Sequence, residues 1–176
     1  MRTQAILTAL AGAVLVCVSA QAANLKQEAQ QLDRAKVSVT DAIREAERQG
    51  NGRATEATFH SSTHGAGDYV VKVLSSDDRK LMSYRIDAGT GHIVSAGNEP
   101  VEKVFTHLKP EQIDSAQTSL AHAIASAEKQ AGGHATYAAV EAHGDHLVYD
   151  VKLAKDDGSM SRIKVDSSTG HLASAQ

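Results

Sequence analysis

The chain has 176 residues, with 18 Lys and Arg against 21 Asp and Glu, one Cys, no Trp, four Tyr and two Phe. That length holds one ordinary domain or two small ones sharing a core, and 41% apolar with 22% charged residues excludes wholesale disorder. A net charge of −3 supplies no basic stripe, so no nucleic-acid partner is expected, and the size favours a small binding or regulatory protein over a large enzyme.

The first 22 residues read as an export signal. Arg2 is the only charge before Lys26, residues 5–20 are almost wholly apolar, and Ala20-Gln21-Ala22 supplies a small-x-small ending. The apolar run falls short of the ~20 residues that span a bilayer, so no stable membrane anchor is expected after cleavage before Ala23. A lipoprotein signal is disfavoured because Val16, and no small residue, precedes Cys17. The mature protein is thus expected in the periplasm or secreted. It loses Cys17 with the signal, which excludes disulfides, thiolate metal sites and a cysteine nucleophile. Its core must be aliphatic.

The remainder repeats itself. At an offset of 81, Ser38, Ala42, Ile43, Ala46, Glu47, Gly52, Ala54 and Thr55 meet Ser119, Ala123, Ile124, Ala127, Glu128, Gly133, Ala135 and Thr136. The offset falls to 80 where Val71-Lys72 meets Val151-Lys152, and to 79 where residues 87–96 meet 166–175. Two single-residue loop deletions account for the drift. The expected organisation is a signal at 1–22, a first repeat at 23–97, a linker at 98–109 and a second repeat at 110–176.

Each repeat reads as a helix followed by antiparallel strands, an α+β unit. Leu25, Ala29, Leu32, Val39, Ile43 and Ala46 follow helical spacing. Ser38 with Asp41 resembles a capping box, so a fresh helix can start there, and Gly50-Asn51-Gly52 stops it. In the second repeat Pro110 suits a first helical position. Ile113, Ala116, Leu120, Ile124 and Ala127 line one face, and Gly132-Gly133 ends the run. Period-two strands then turn Thr55/Ala57/Phe59, Tyr69/Val71/Val73 and Met82/Tyr84/Ile86 inward, with Thr136/Ala138/Val140, Tyr149/Val151/Leu153 and Ile163/Val165 as counterparts. The opposite, wet faces carry Lys72, Arg85, Asp150, Lys152, Arg162 and Lys164. The residues leave open whether the two sheets merge.

The sharpest local motif is Asp-x-x-Thr-Gly-His, at Asp87, Thr90, Gly91 and His92 and again at Asp166, Thr169, Gly170 and His171. A carboxylate beside an imidazole invites a catalytic reading, but the motif lies between two strands in both repeats. Asp accepting backbone N–H groups while Gly takes positive φ is turn chemistry, and these are read as structural turns. His60 and His64 flank the first hairpin loop, and His143 and His146 occupy its counterpart. With Asp68 or Asp145 they could ligate a metal if the loops converged. Asp77-Asp78 and Asp156-Asp157 read as solvated hairpin turns. No Gly-x-Ser-x-Gly elbow, His-Glu-x-x-His or phosphate-cradling loop is present, so neither catalytic residues nor a cofactor are expected. Tyr137, on the wet face where the first repeat has Glu56, is a candidate interface anchor.

Ser-x-x-x-Ala-Ile-x-x-Ala-Glu, alternating strands and Asp-x-x-Thr-Gly-x-[Ile/Leu], in that order and twice after an export signal, resemble a tandem pair of PepSY domains. The resemblance rests on Ser38, Ala42, Ile43, Ala46, Glu47, Asp87, Thr90, Gly91 and Ile93, and on Ser119, Ala123, Ile124, Ala127, Glu128, Asp166, Thr169, Gly170 and Leu172. His92 and His171 depart from the Glu that often follows Thr-Gly. The resemblance implies an α+β fold and an extracytoplasmic, non-enzymatic role, since such domains occur in propeptides of thermolysin-like metallopeptidases. Two functions follow as expectations. One is a module that binds an exported peptidase or other envelope protein through Lys72, Arg85, Tyr137, Lys152 and Arg162. The other is a periplasmic metal- or small-ligand-binding protein that uses His60, His64, His143 and His146.

Overall fold

The computed structural model describes residues 14–77, 80–100, 108–144 and 146–173, with side chains from Ala23 onward. Most of the expected signal, the middle of the expected linker, Asp78 and Asp145 lie outside the described residues. Helix α1 spans Val14–Arg34 and α2 spans Val39–Gly50. Four strands follow: β1 (Gly52–His60), β2 (Asp68–Ser75), β3 (Leu81–Asp87) and β4 (Ile93–Glu99). The second repeat gives α3 (Pro110–Ser115), α4 (Leu120–Ala131), β5 (His134–His143), β6 (His146–Ala154), β7 (Met160–Asp166) and β8 (Leu172–Ala173). No helix among the described residues is long and apolar enough to cross a membrane.

Capping residues fix where the helices break. Ser38 caps α2: its hydroxyl accepts the Asp41 N–H at 3.2 Å and donates to the Asp41 carboxylate at 2.6 Å. That donated bond is the main reason the Asp41 carboxyl is held below its ordinary range. Ser119 caps α4 through the His122 N–H in the same way. The second repeat therefore has a short helix, a break at 116–119 and a new helix, where one continuous apolar stripe predicted a single run. Asn51, at φ 44°, ends α2 in the left-handed region that its short polar side chain tolerates.

Strand pairing answers the question the residues left open, whether the two small sheets merge. All eight strands form one antiparallel sheet in the order β4-β3-β2-β1-β5-β6-β7-β8. The seam is β1 against β5, where Glu56 faces Ala139, Ala57 faces Ala138 and Thr58 faces Tyr137. Ala57 and Ala138 are repeat equivalents, so a pseudo-two-fold axis passes between them, and the seam is the internal counterpart of an isologous dimer contact. Gly97, Asn98 and Glu99 continue β4 and pair with β3, so the strand runs two residues past the expected end of the first repeat.

Helices α2 and α4 cover one face of this sheet. Val39, Ala42, Ile43 and Ala46 are buried from α2, and Leu120, Ala121, Ala123, Ile124 and Ala127 from α4. Alanines at the contacts let the helices approach closely, while Ile43 and Ile124, both fully buried, supply about 1.5–3 kcal/mol each. The inward strand residues are buried as expected, except that Met82 and Ile163 are only partly covered. Thr55 and Thr136 are buried beside Ala54 and Ala135 because the ladder slips at both points, so two consecutive residues turn toward the core.

Candidate functional site

The seam turns two half-faces into one. On the side away from α2 and α4, the register lines up Ser83, Lys72, Glu56, Ala139, Asp150 and Lys164 as one row across the sheet. Arg85, Val70, Thr58, Tyr137, Lys152 and Arg162 form the next row, two residues along each strand. The five residues expected to meet a partner thus share one surface, which neither repeat presents alone.

None of their charges stands by itself. Lys72 pairs with Glu56 at 3.0 Å, Arg85 with Asp68 at 3.5 Å, and the Lys152 ammonium lies 4.5 Å from the centre of the Tyr137 ring. Arg162 reaches Asp150 at 2.6 Å and Glu141 at 3.5 Å. The hydrogen bond to Asp150 holds the Arg162 guanidinium above its ordinary value. Burial, and then the nearby Glu56, raise the Tyr137 hydroxyl. Asp150 was expected on a wet face but is only 1% exposed, and its neighbours Ala139 and Val148 are buried with it. The centre of this face is therefore drier than period-two alternation predicts, with long cationic side chains at its border.

The histidine loops do not converge. His143 and His146 face each other across the β5–β6 hairpin. Antiparallel pairing of β1 with β5 places His60 at the opposite end of the sheet, roughly eight residues or about 26 Å along the strands. His64 bonds the Thr63 hydroxyl at 2.7 Å. Among the described residues no group of three or more His, Cys, Asp or Glu is placed to hold a metal ion. The four histidines of the two loops are therefore not brought together.

Both Asp-x-x-Thr-Gly motifs are turns. One Asp87 carboxylate oxygen accepts the Gly89 N–H at 3.0 Å and the Thr90 N–H and hydroxyl at 2.8 Å each, while Gly91 sits at φ 75°. Asp166 repeats the pattern with Ser168 and Thr169, and Gly170 takes φ 70°. These bonds hold both carboxyls below the ordinary Asp value, the Thr90 hydroxyl leading for Asp87 and the Thr169 N–H for Asp166. Such stabilised carboxylates are poor proton acceptors.

Other motif residues have roles that the sequence did not disclose. The glutamate that ends each Ala-Ile-x-x-Ala-Glu motif accepts the N–H freed at the following strand bulge: Glu47 from Ala54 at 2.9 Å and Glu128 from Ala135 at 2.8 Å. Buried tyrosines tie each strand pair to the helix break, Tyr69 donating to the Val37 carbonyl at 2.9 Å and Tyr149 to the Thr118 carbonyl. Arg53 crosses the seam and donates to the carbonyls of Ala116 at 2.8 Å, Asp114 at 3.1 Å and Thr118 at 3.4 Å. Its repeat equivalent, His134, crosses the other way to the Asp33 carboxylate at 2.8 Å. The clue was present in the repeat alignment, where position 53/134 changes from Arg to His within an otherwise matched stretch.

The family model described as "Peptidase propeptide and YPEB domain" (PepSY) matches residues 36–96 and 118–174. No curated protein matches the chain. Among solved structures, a crystal structure described as that of a "putative lipoprotein" from Clostridium difficile 630 aligns at 20% identity. It covers 81% of this chain and 93% of its own, with a TM-score of 0.49. The two matched segments span most of the chain and coincide with its two structural repeats, so the protein belongs to the PepSY family and carries the domain twice.

Proposed function

We propose that this protein is an exported, non-enzymatic binding module, periplasmic or secreted, that engages a peptidase or other envelope protein through the face of its fused sheet opposite α2 and α4. The observation that supports this reading is the alignment of Tyr137, Lys152, Arg162, Lys72 and Arg85 in two adjacent rows on one surface. A dry centre bearing an aromatic ring and bordered by paired charges has the anatomy of a protein interface. The leader-like sequence at residues 1–22 supports export, and the family description supports a peptidase as the class of partner.

The test is a progress curve of a thermolysin-type peptidase titrated with the 23–176 protein, with and without added zinc. Dose-dependent inhibition that zinc leaves intact, and that Tyr137→Glu or Lys152→Glu weakens at least tenfold, is the expected result. Inhibition abolished by zinc would show histidines stripping the enzyme's metal and would overturn direct binding. Absence of inhibition would remove the thermolysin-type peptidase as partner.

A further inference from the structure

We propose that the open cleft bordered by the end of α1, the α1–α2 break and the start of β5 is a guanidinium-binding site. The cavity is about 330 Å³, at the lower end of small-ligand sites, and Asp33, Ala35, Val37, Asp41, Glu128 and His134 are among the residues that line it. The protein carries its own control. At the offset of 81, residues 33, 35 and 37 correspond to Asp114, Ala116 and Thr118, whose carbonyls receive the Arg53 guanidinium in the other half. Glu128 and Tyr69 likewise correspond to Glu47 and Tyr149. One half of the molecule therefore shows what the slot accepts, a planar fork of N–H donors laid against three carbonyls.

In the cavity half, the residue that would fill the slot is His134. Its imidazole reaches the Asp33 carboxylate, and it carries no fork for the backbone. A second substitution adds negative charge, because Asp41 stands where the other half has His122. Three carboxylates, those of Asp33, Asp41 and Glu128, thus line the cavity. Asp41 is already paired with Arg44 at 2.7 Å, and Lys36, exposed, adds an ammonium at the lining. Leu32, Val39 and Ala135 supply an apolar wall for the methylene stem that carries a guanidinium. An arginine side chain of a bound polypeptide and a small guanidino compound share this chemistry. The site does not depend on the peptidase reading, since it lies on the helix side of the sheet, away from the face that carries Tyr137 and Lys152.

The test is an amide-resolved NMR titration of the 23–176 protein with agmatine, with N-carbamoylputrescine as its ureido isostere, and with an arginine-containing peptide beside its citrulline counterpart. Saturable shifts confined to residues 32–41 and 134–135, seen with the guanidinium probes and absent with their ureido counterparts, are expected. His134→Arg, which supplies the missing fork from within, should weaken binding at least tenfold while raising the melting temperature. Asp33→Asn, which keeps a hydrogen-bonding partner for His134 but removes the charge, should weaken it about fivefold. Peptide binding at least tenfold tighter than agmatine would assign the site to a partner's arginine, and equal binding to a free guanidino compound. Absence of saturable shifts, shifts mapping elsewhere, or a His134→Arg variant that binds as well as the parent would overturn the proposal.

Discussion

Replacing Arg53 by alanine should loosen the seam far more than the equivalent change at His134. Arg53 makes two bonds of good length, at 2.8 and 3.1 Å, and a third at 3.4 Å that contributes little. Hydrogen bonds to a charged group are worth about 1.5–3 kcal/mol each, but this side chain is only partly buried and water can take its place at the carbonyls, so the loss should be ~2 kcal/mol in all. For a chain of this length that lowers the melting temperature by roughly 4–8 °C. His134→Ala removes a single contact whose two side chains are 39% and 52% exposed, and should cost less than ~1 kcal/mol. Urea unfolding followed by far-UV circular dichroism measures both. An Arg53→Ala variant within ~0.5 kcal/mol of the parent, or a His134→Ala variant that loses as much, would refute the clamp.

Ile43→Ala and Ile124→Ala should each cost about 2–5 kcal/mol and move one shared unfolding transition, and a second transition in either variant would show that the repeats melt separately. Gly133→Ala should lose roughly 1–3 kcal/mol by thermal melting, because φ is +89° and a Cβ would lie 2.5 Å from the Ala154 carbonyl oxygen. Asp87 and Asp166 have folded-state values below the ordinary 3.8, so their contribution is present above that value and lost as pH falls through the lowered ones. The urea midpoint should therefore drop between neutral pH and pH 3, and Asp87→Asn with Asp166→Asn should flatten that slope; an unchanged slope would contradict the turn geometry.

What the sequence disclosed was local or self-referential. The duplication was visible because matched residues keep a nearly constant offset, and Ser38, Asp87 and Asp166 announced caps and turns whose chemistry acts within three residues. Helical and strand periods placed Ile43, Ile124, Val71 and Val151 in the core. The seam was not visible, because period two states which face a residue takes and says nothing of which strand lies alongside. Asp150 was misplaced for the same reason: alternation put it on a wet face, and only pairing with β5 and β7 surrounds it with Ala139, Tyr137 and Arg162. The helix break at 116–119 hid behind apolar spacing that continues across it, whereas Ser38 with Asp41 marked its counterpart in the first repeat. Whether the two histidine loops converge was likewise not legible, because the antiparallel direction of β1 and β5 that separates them is a property of the assembled sheet.

The shared face, the cavity and both cross-repeat contacts exist only if β1 pairs with β5. Hydrogen exchange at the amides of residues 56–58 and 137–139 tests that pairing most directly, since seam strands in one cooperative sheet open only with the whole domain. The expected result is protection in these residues equal to that of β2 and β6 and matching the free energy of global unfolding. Seam amides that exchange orders of magnitude faster than β2 and β6 would mean two independent repeats, and would contradict the fused face on which the proposed binding rests.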